Sequence, residues 1–182
     1  MAITRLGGAN AITGTLPAAN INDTSIGNIT ALPAGVGGKV LQQVHGSTTT
    51  QVAISSSTLT DTTLTANITP SATSSKILII ATHNGNWVSS GNVNNALSLF
   101  LLRDSTEIGR TGGVNWIDSS VAYDNIMSSA SFNVVDSPSS TSALTYKTQF
   151  RNINNSAEAT VQKSFGGTWG TTSYITLIEI GA

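Results

Sequence analysis

Ser173 to Ile180 (SYITLIEI) has the length of a strand and is apolar on both faces. In an extended chain Ile175 and Leu177 fill one side, while Tyr174, Ile178 and Ile180 fill the other. A strand that closes a core beneath one wet face alternates apolar with polar. This one needs a second cover, most economically copies of the same chain. Lys76 to Thr82 (KILIIAT) and Ala96 to Leu102 (ALSLFLL) read the same way, with Ile77, Ile79 and Ala81 opposite Leu78 and Ile80 in the first. If the three runs share one sheet, its outer face is an oligomer interface made of Leu78, Ile80, Phe100, Tyr174, Ile178 and Ile180. A compact protomer with one such face closes most simply as a cyclic trimer.

The other strand-length segments alternate. Leu144, Tyr146, Thr148 and Phe150 point one way, and Thr145, Lys147, Gln149 and Arg151 point to solvent. Thr63 to Ile68 places Leu64, Ala66 and Ile68 inward, and Gln51 to Ser55 places Val52 and Ile54 together. Thr106 to Arg110, Val121 to Met127, Ala130 to Val135 and Ala157 to Gln162 are further short strands, and Arg103-Asp104-Ser105 is a tight turn. His83 to Asn95, rich in Asn, Gly and Ser around Trp87, reads as a loop at one end of the sandwich. Ser, Thr and Asn supply roughly a third of the chain, and Leu-, Glu- and Lys-rich helical stretches are missing. The expectation is an all-β, antiparallel β-sandwich of jelly-roll type with about ten strands over residues 39–182.

Residues 1–38 differ. Gly7, Gly8, Gly14, Gly27, Gly35, Gly37 and Gly38 interrupt short apolar pieces, and no periodicity lasts a full element. Ile12 to Ala18 (ITGTLPA) is echoed by Ile29 to Ala34 (ITALPA), whose prolines push the preceding leucines into extended conformations. This stretch is expected to be an extended attachment arm that offers Ile12, Leu16, Pro17, Ile29, Leu32 and Pro33 to a groove.

Charge and motifs exclude several functions. Net charge is -1 and 9% of residues are charged, so no basic field draws nucleic acid. With no cysteine there is neither a disulfide framework nor a thiolate metal site. The first residues lack a basic stretch followed by a long apolar one, and no run approaches 18 apolar residues, so neither a signal peptide nor membrane insertion is expected. Gly35 to Val40 (GVGGKV) has Val where a phosphate loop needs Ser or Thr, and reads as a joint between arm and head. His45 and His83 form no local metal motif and read as ordinary strand-end histidines. Asp118, Asp124 and Asn125 read as turn caps in preference to calcium ligands. No nucleophile elbow or carboxylate pair occurs, so the chain is expected to be no enzyme and to need no metal or other cofactor.

Trp87, Trp116 and Trp169 are each flanked by loop-forming residues. Aromatic faces beside amides suit sugar or protein recognition, which makes these three the candidate host-contact residues, although plugging the sandwich ends or subunit clefts is the leading expectation for them. Glu179 is the one charge in the final strand. It is expected to reach solvent near the strand end or to meet Arg103, Arg110, Lys147 or Arg151 across a subunit boundary.

AITGTLPAANI, GKVLQQV, SSKILIIATHN, LFLLRDSTEIG, DSPSSTSALTYKTQFRN and the terminal TLIEIGA together resemble small virion surface proteins of tailed bacteriophages, commonly tail fibre or fibre-like proteins. The resemblance covers nearly the whole chain and is one of pattern. It implies a homotrimeric jelly-roll head of the kind found in the tumour necrosis factor superfamily. Its arm would attach to other virion structural proteins of tail or capsid, and its outer loops would touch a host surface glycan or protein. It also implies location in the virion after assembly in the host cytoplasm. Many fibres carry a long shaft, whereas only 38 residues precede this head, so a capsid decoration protein is the first alternative. A soluble lectin-like glycan-binding module is the second.

Overall fold

The computed structural model describes residues 40–89, 93–119, 126–155, 157–164, 166 and 170–181. They form eleven strands in two antiparallel sheets, with no helix among them. In the first sheet β1 (Val40–Thr48), β11 (Ser173–Ile180), β4 (Lys76–Val88) and β8 (Met127–Asp136) lie side by side. Toward the end of β4 its neighbour β11 gives way to β10 (Ala159–Val161), which pairs in turn with β2 (Val52–Ile54). The second sheet runs β3 (Thr60–Ile68), β9 (Leu144–Asn152), β5 (Asn95–Arg103) and β6 (Thr106–Arg110), with β7 (Val114–Ile117) sharing the far edge of β5. The chain crosses between sheets from β2 to β3, β3 to β4, β4 to β5, β7 to β8, β8 to β9 and β9 to β10. With the orders β1-β11-β4-β8 and β3-β9-β5-β6, this is a jelly roll.

Alternation builds the core. Leu144, Tyr146, Thr148 and Phe150 of β9 are buried and face Ile77, Ile79 and Ala81 of β4 and Ile175 and Leu177 of β11 across the sandwich, with Leu64 and Ile68 of β3 and Leu97, Leu99 and Leu101 of β5 closing the layer. Ile175 and Leu177 are wholly inaccessible while Tyr174, on the opposite face, is exposed.

Three expectations need correction. The run Ala96 to Leu102 does not join Lys76 to Thr82 and Ser173 to Ile180 in one sheet; it is β5, at the centre of the second sheet. Its outward Phe100 is nevertheless only 4% exposed, because the guanidinium groups of Arg110 and Arg151 lie 5.7 and 5.4 Å from the ring centroid and their stems cover it. The second apolar face of β5 is thus covered within the protomer, and Phe100 lies on the opposite side of the molecule from Leu78 and Ile178.

His83 to Val88 is strand, not loop: β4 continues through Asn84, Gly85 and Asn86 with a register shift against β8. Gly85 takes φ +67, and a side chain there would meet Thr171 Oγ1 at 2.3 Å and Lys163 N at 2.7 Å, so glycine is what lets the strand kink and continue. The amides of Gln162 and Lys163 donate to the carbonyls of Asn84 (3.2 Å) and Gly85 (2.9 Å), which satisfies the kinked backbone.

The third correction concerns Glu179, which neither reaches solvent nor meets a cation. It is fully buried on the inward side of β11, and its partners are neutral hydrogen-bond donors.

Candidate functional site

The outward faces of the two sheets differ in chemistry. On the second sheet they present Asp61, Lys147, Gln149, Arg151, Glu107 and Arg110, with Lys147 Nζ 3.0 Å from Asp61 and Arg110 Nε 2.7 Å from Glu107. Such a face is at ease in water.

On the first sheet the register aligns Ile178 of β11 with Leu78 of β4 and Val135 of β8, and Val40 of β1 with Ile180. Ile80 follows one step along β4, and Tyr174 stands at the other end of β11. Val40, Leu41, Ile80, Val135 and Tyr174 are 63, 50, 41, 56 and 45% exposed. Between these side chains lie Gln43, His45, Thr176, Asn133, Thr82 and Ser131, and the one charge on the outward register positions is Lys76, at the edge. Val135, Leu78 and Ile178 thus form an apolar row across β8, β4 and β11, with Ile180 and Val40 beside it, and the polar groups around it are uncharged apart from Lys76 opposite Ile180.

The residues beneath hold this face rigid. Ser71 donates to Glu179 Oε1 through its backbone N (2.7 Å) and its Oγ (2.6 Å), and Gln42 Nε2 donates to Oε2 (2.5 Å) and to the Thr69 carbonyl (2.7 Å). Burial alone would raise the Glu179 carboxyl; the hydrogen bonds from Ser71 and Gln42 outweigh it and pull the pKa down to about 2. One carboxylate therefore ties β1, the turn after β3 and the end of β11 together, directly below Ile178 and Ile180. At the far edge, Arg103 of β5 donates through Nη1 to both oxygens of Asp136 (2.9 and 2.7 Å), and Tyr146 Oη donates to Oδ2 (2.7 Å). Burial, with the Asp136 carboxylate beside it, raises the Tyr146 pKa, and this cluster pins the end of β8 to the second sheet.

Between the sheets, His83 belongs to a polar chain with a single direction. Leu64 N donates to Thr62 Oγ1 (3.2 Å), Thr62 Oγ1 to Thr148 Oγ1 (2.6 Å), and Thr148 Oγ1 to His83 Nε2 (2.8 Å). With its oxygen turned toward Ser173 and His83, the Gln162 amide accepts from Ser173 Oγ (2.8 Å) and His83 Nδ1 (3.1 Å). Its nitrogen then donates to the carbonyls of Thr50 (3.1 Å) and Thr62 (3.3 Å). Every member is satisfied with a neutral imidazole, and burial lowers the His83 pKa to about 4. His83 is thus a structural core group. Among the described residues no three His, Asp or Glu side chains are placed to share a metal ion.

Leu78, Ile80, Tyr174, Ile178 and Ile180 are brought together on the outer face of the first sheet, and Phe100 is not. Trp87 lies near the end of β4, half-buried, with Lys163 Nζ 3.7 Å from its ring centroid, so a cation occupies one of its faces. Trp116 sits in β7 and is 62% exposed. Trp169 and the arm residues Ile12, Leu16, Pro17, Ile29, Leu32 and Pro33 lie outside the described residues. Val40, Leu41 and Val135 were not anticipated on the apolar row. Val135 carried a signal, since adjacent Val134 and Val135 make β8 apolar on both faces at that point.

No protein-family model matches the chain, and no curated protein does. Among solved structures it is similar to VP2 of infectious bursal disease virus in the subviral particle, at 14% identity and a TM-score of 0.36, over 79% of this chain and 38% of that one. A chain of the T13 IBDV viral particle is similar at 12% identity and a TM-score of 0.35, over 78% of this chain and 36% of that one. The chain thus spans less than two fifths of either protein. A likeness at this level carries no argument about function; the contrast between the chain's own two outer faces does.

Proposed function

We propose that the chain is a non-enzymatic structural protein of a bacteriophage particle. In this reading it is a homotrimeric fibre or fibre-like jelly-roll head, attached to other virion proteins by residues 1–38 and offering outer loops to the host. The observation that carries the reading is the uncharged apolar row of Ile180, Ile178, Leu78, Val135 and Ile80 on one sheet, set against a charged outer face on the other. A surface of that kind is costly to leave in water and gains by self-association. The resemblance to phage fibre-like proteins supplies the setting, and the echoed segments ITGTLPA and ITALPA of the arm supply a means of attachment.

The test is deletion of residues 1–38 followed by addition of the truncated head to particles that lack the protein. The head is expected to remain a soluble trimer and to stay off the particles; a truncated head that still joins them refutes the role given to the arm. Copy number per particle separates a tail part, present in tens of copies at most, from a capsid decoration protein present in hundreds.

A further inference from the structure

Among the described residues, the outer face of the first sheet carries one imidazole. His45 stands on β1 in the same register row as Thr176 of β11 and Ile80 of β4, between the rows that hold Ile178 and Tyr174. The apolar side chains of that face extend to its own strand, where Val40 and Leu41 are exposed. A copy of the chain laid over Ile178, Ile80 and Tyr174 thus covers His45 as well. In the single chain the imidazole is open to water. Its Nδ1 lies 3.2 Å from Thr176 Oγ1, and its ring centroid lies 5.8 Å from that of Tyr174. Both contacts suit a neutral ring, since the hydroxyl can donate to Nδ1 or accept from it.

Among the described residues His45 forms no ion pair, and the neighbouring carboxylates are committed elsewhere. β11 brings Tyr174 to this face but turns Glu179 inward, to Ser71 and Gln42. β3, joined to β1 through the Thr48 and Thr63 hydroxyls (2.7 Å), brings Asp61, which is engaged by Lys147 and Gln149. β4 adds Lys76, a further positive charge at the edge, and Asp136 of β8 is held by Arg103 and Tyr146. Water stabilises an imidazolium on the single chain, whereas a covered surface without a carboxylate does not. Tyr174 belongs to the same chain as His45 in both states, so its ring leaves this balance unchanged. Separated copies then bind more protons than the assembly, and the equilibrium moves toward them as pH falls through the ordinary imidazole range around 6.5. We propose that His45 is an acid release for the assembly: neutral, it lets copies of the chain close over the outer face of the first sheet, and protonated, it parts them. This rests on the reading of that face as the oligomer interface and adds its regulation.

Sedimentation of the full chain at micromolar concentration, at pH 7.5, 6.5 and 5.5 with circular dichroism at each pH, tests it. Wild type is expected to be a trimer at pH 7.5 and to give folded single chains by pH 5.5. Its dissociation constant should rise by up to about tenfold per chain for each pH unit below about 6.5, or about a thousandfold for three chains. His45→Gln keeps a polar partner for Thr176 and takes up no proton, so it should remain trimeric at pH 5.5. His45→Lys carries the charge at every pH tested and should be a folded single chain already at pH 7.5. His83, buried between the sheets, is common to all three proteins and cancels in the comparison. Wild type that is a single chain at pH 7.5 removes the assembly reading, and the release with it. A wild-type trimer that persists unchanged at pH 5.5, a His45→Gln variant that dissociates in step with wild type, or a His45→Lys variant that stays trimeric overturns the release and leaves the assembly reading in place.

Discussion

Acid should destabilise this fold through Glu179 in a defined window. The carboxyl has an ordinary pKa of 4.5 and is held at about 2 in the folded state. Because the folded value lies below the unfolded one, the unfolded chain takes up the proton first as pH falls. The stabilisation is therefore complete above about pH 5 and is lost between roughly pH 4.5 and 2. A shift of that size is worth about 3 kcal/mol at about 1.4 kcal/mol per pKa unit. Glu179→Gln is the perturbation that isolates it. The amide keeps an oxygen for Ser71 but sets an NH2 group against Gln42 Nε2, which is already committed to the Thr69 carbonyl. The variant should thus be weaker than wild type by about 2–3 kcal/mol at pH 7, the cost of losing a charge-assisted bond and opposing two donors. Urea unfolding of both proteins at pH 7, 5, 3.5 and 2.5 gives the difference curve, in which the other carboxylates cancel. The gap should close as pH falls. A gap that stays constant from pH 7 to 2.5 would refute the assignment of Glu179 as a buried, hydrogen-bonded carboxylate.

His83 makes a parallel forecast in a higher window. Its folded pKa of about 4 lies below the ordinary 6.5, so the stability it confers is complete above pH 6.5 and falls by up to about 3 kcal/mol as pH drops toward 4. Nitrogen chemical shifts should show its imidazole neutral at pH 5.5, and a midpoint near 6.5 would contradict its place in the core. Phe100→Ala should cost about 3–5 kcal/mol of protomer stability, because the ring is buried beneath Arg110 and Arg151. It should leave the oligomeric mass unchanged by light scattering; a variant that dissociates while staying folded would return Phe100 to an interface.

The sequence was legible where side-chain periodicity alone decides the outcome. The alternation of Leu144, Tyr146, Thr148 and Phe150 against Lys147 and Arg151 specifies a strand with one wet face, and the two-sided runs correctly mark β4, β5 and β11 as strands, with cover on both faces found inside the protomer for β5. What such a run cannot specify is the identity of the cover. For β5 it comes from two arginines in β6 and β9, and nothing local to Ala96–Leu102 records them. Asn84-Gly85-Asn86 looked like a loop because those residues are poor strand formers, yet pairing with β8 on one edge and the Gln162 and Lys163 amides on the other overrides local preference. Glu179 was misplaced for a related reason. Its partners, Gln42 and Ser71, lie 137 and 108 residues away, and in a chain this rich in hydroxyl groups no single serine stands out. β1 and β7 went unmarked, since VLQQVHGST and VNWI are too weakly patterned to announce themselves.

The central claim is that the outer face of the first sheet is covered by copies of the chain while the inner face holds the protomer together. Ile178 and Leu177 are adjacent in β11 and point to opposite sides, which permits a direct comparison. Analytical ultracentrifugation of wild type, Ile178→Asp and Leu177→Asp, paired with circular dichroism, is the decisive measurement. Wild type should sediment at three times 18.7 kDa. Ile178→Asp should sediment as a folded single chain, because covering an unpaired carboxylate costs several kcal/mol. Leu177→Asp should lose its folded spectrum, because the same charge falls in a fully buried core position. A wild-type protein that sediments as a single chain at micromolar concentration, or an Ile178→Asp variant that keeps the wild-type mass, would contradict the account.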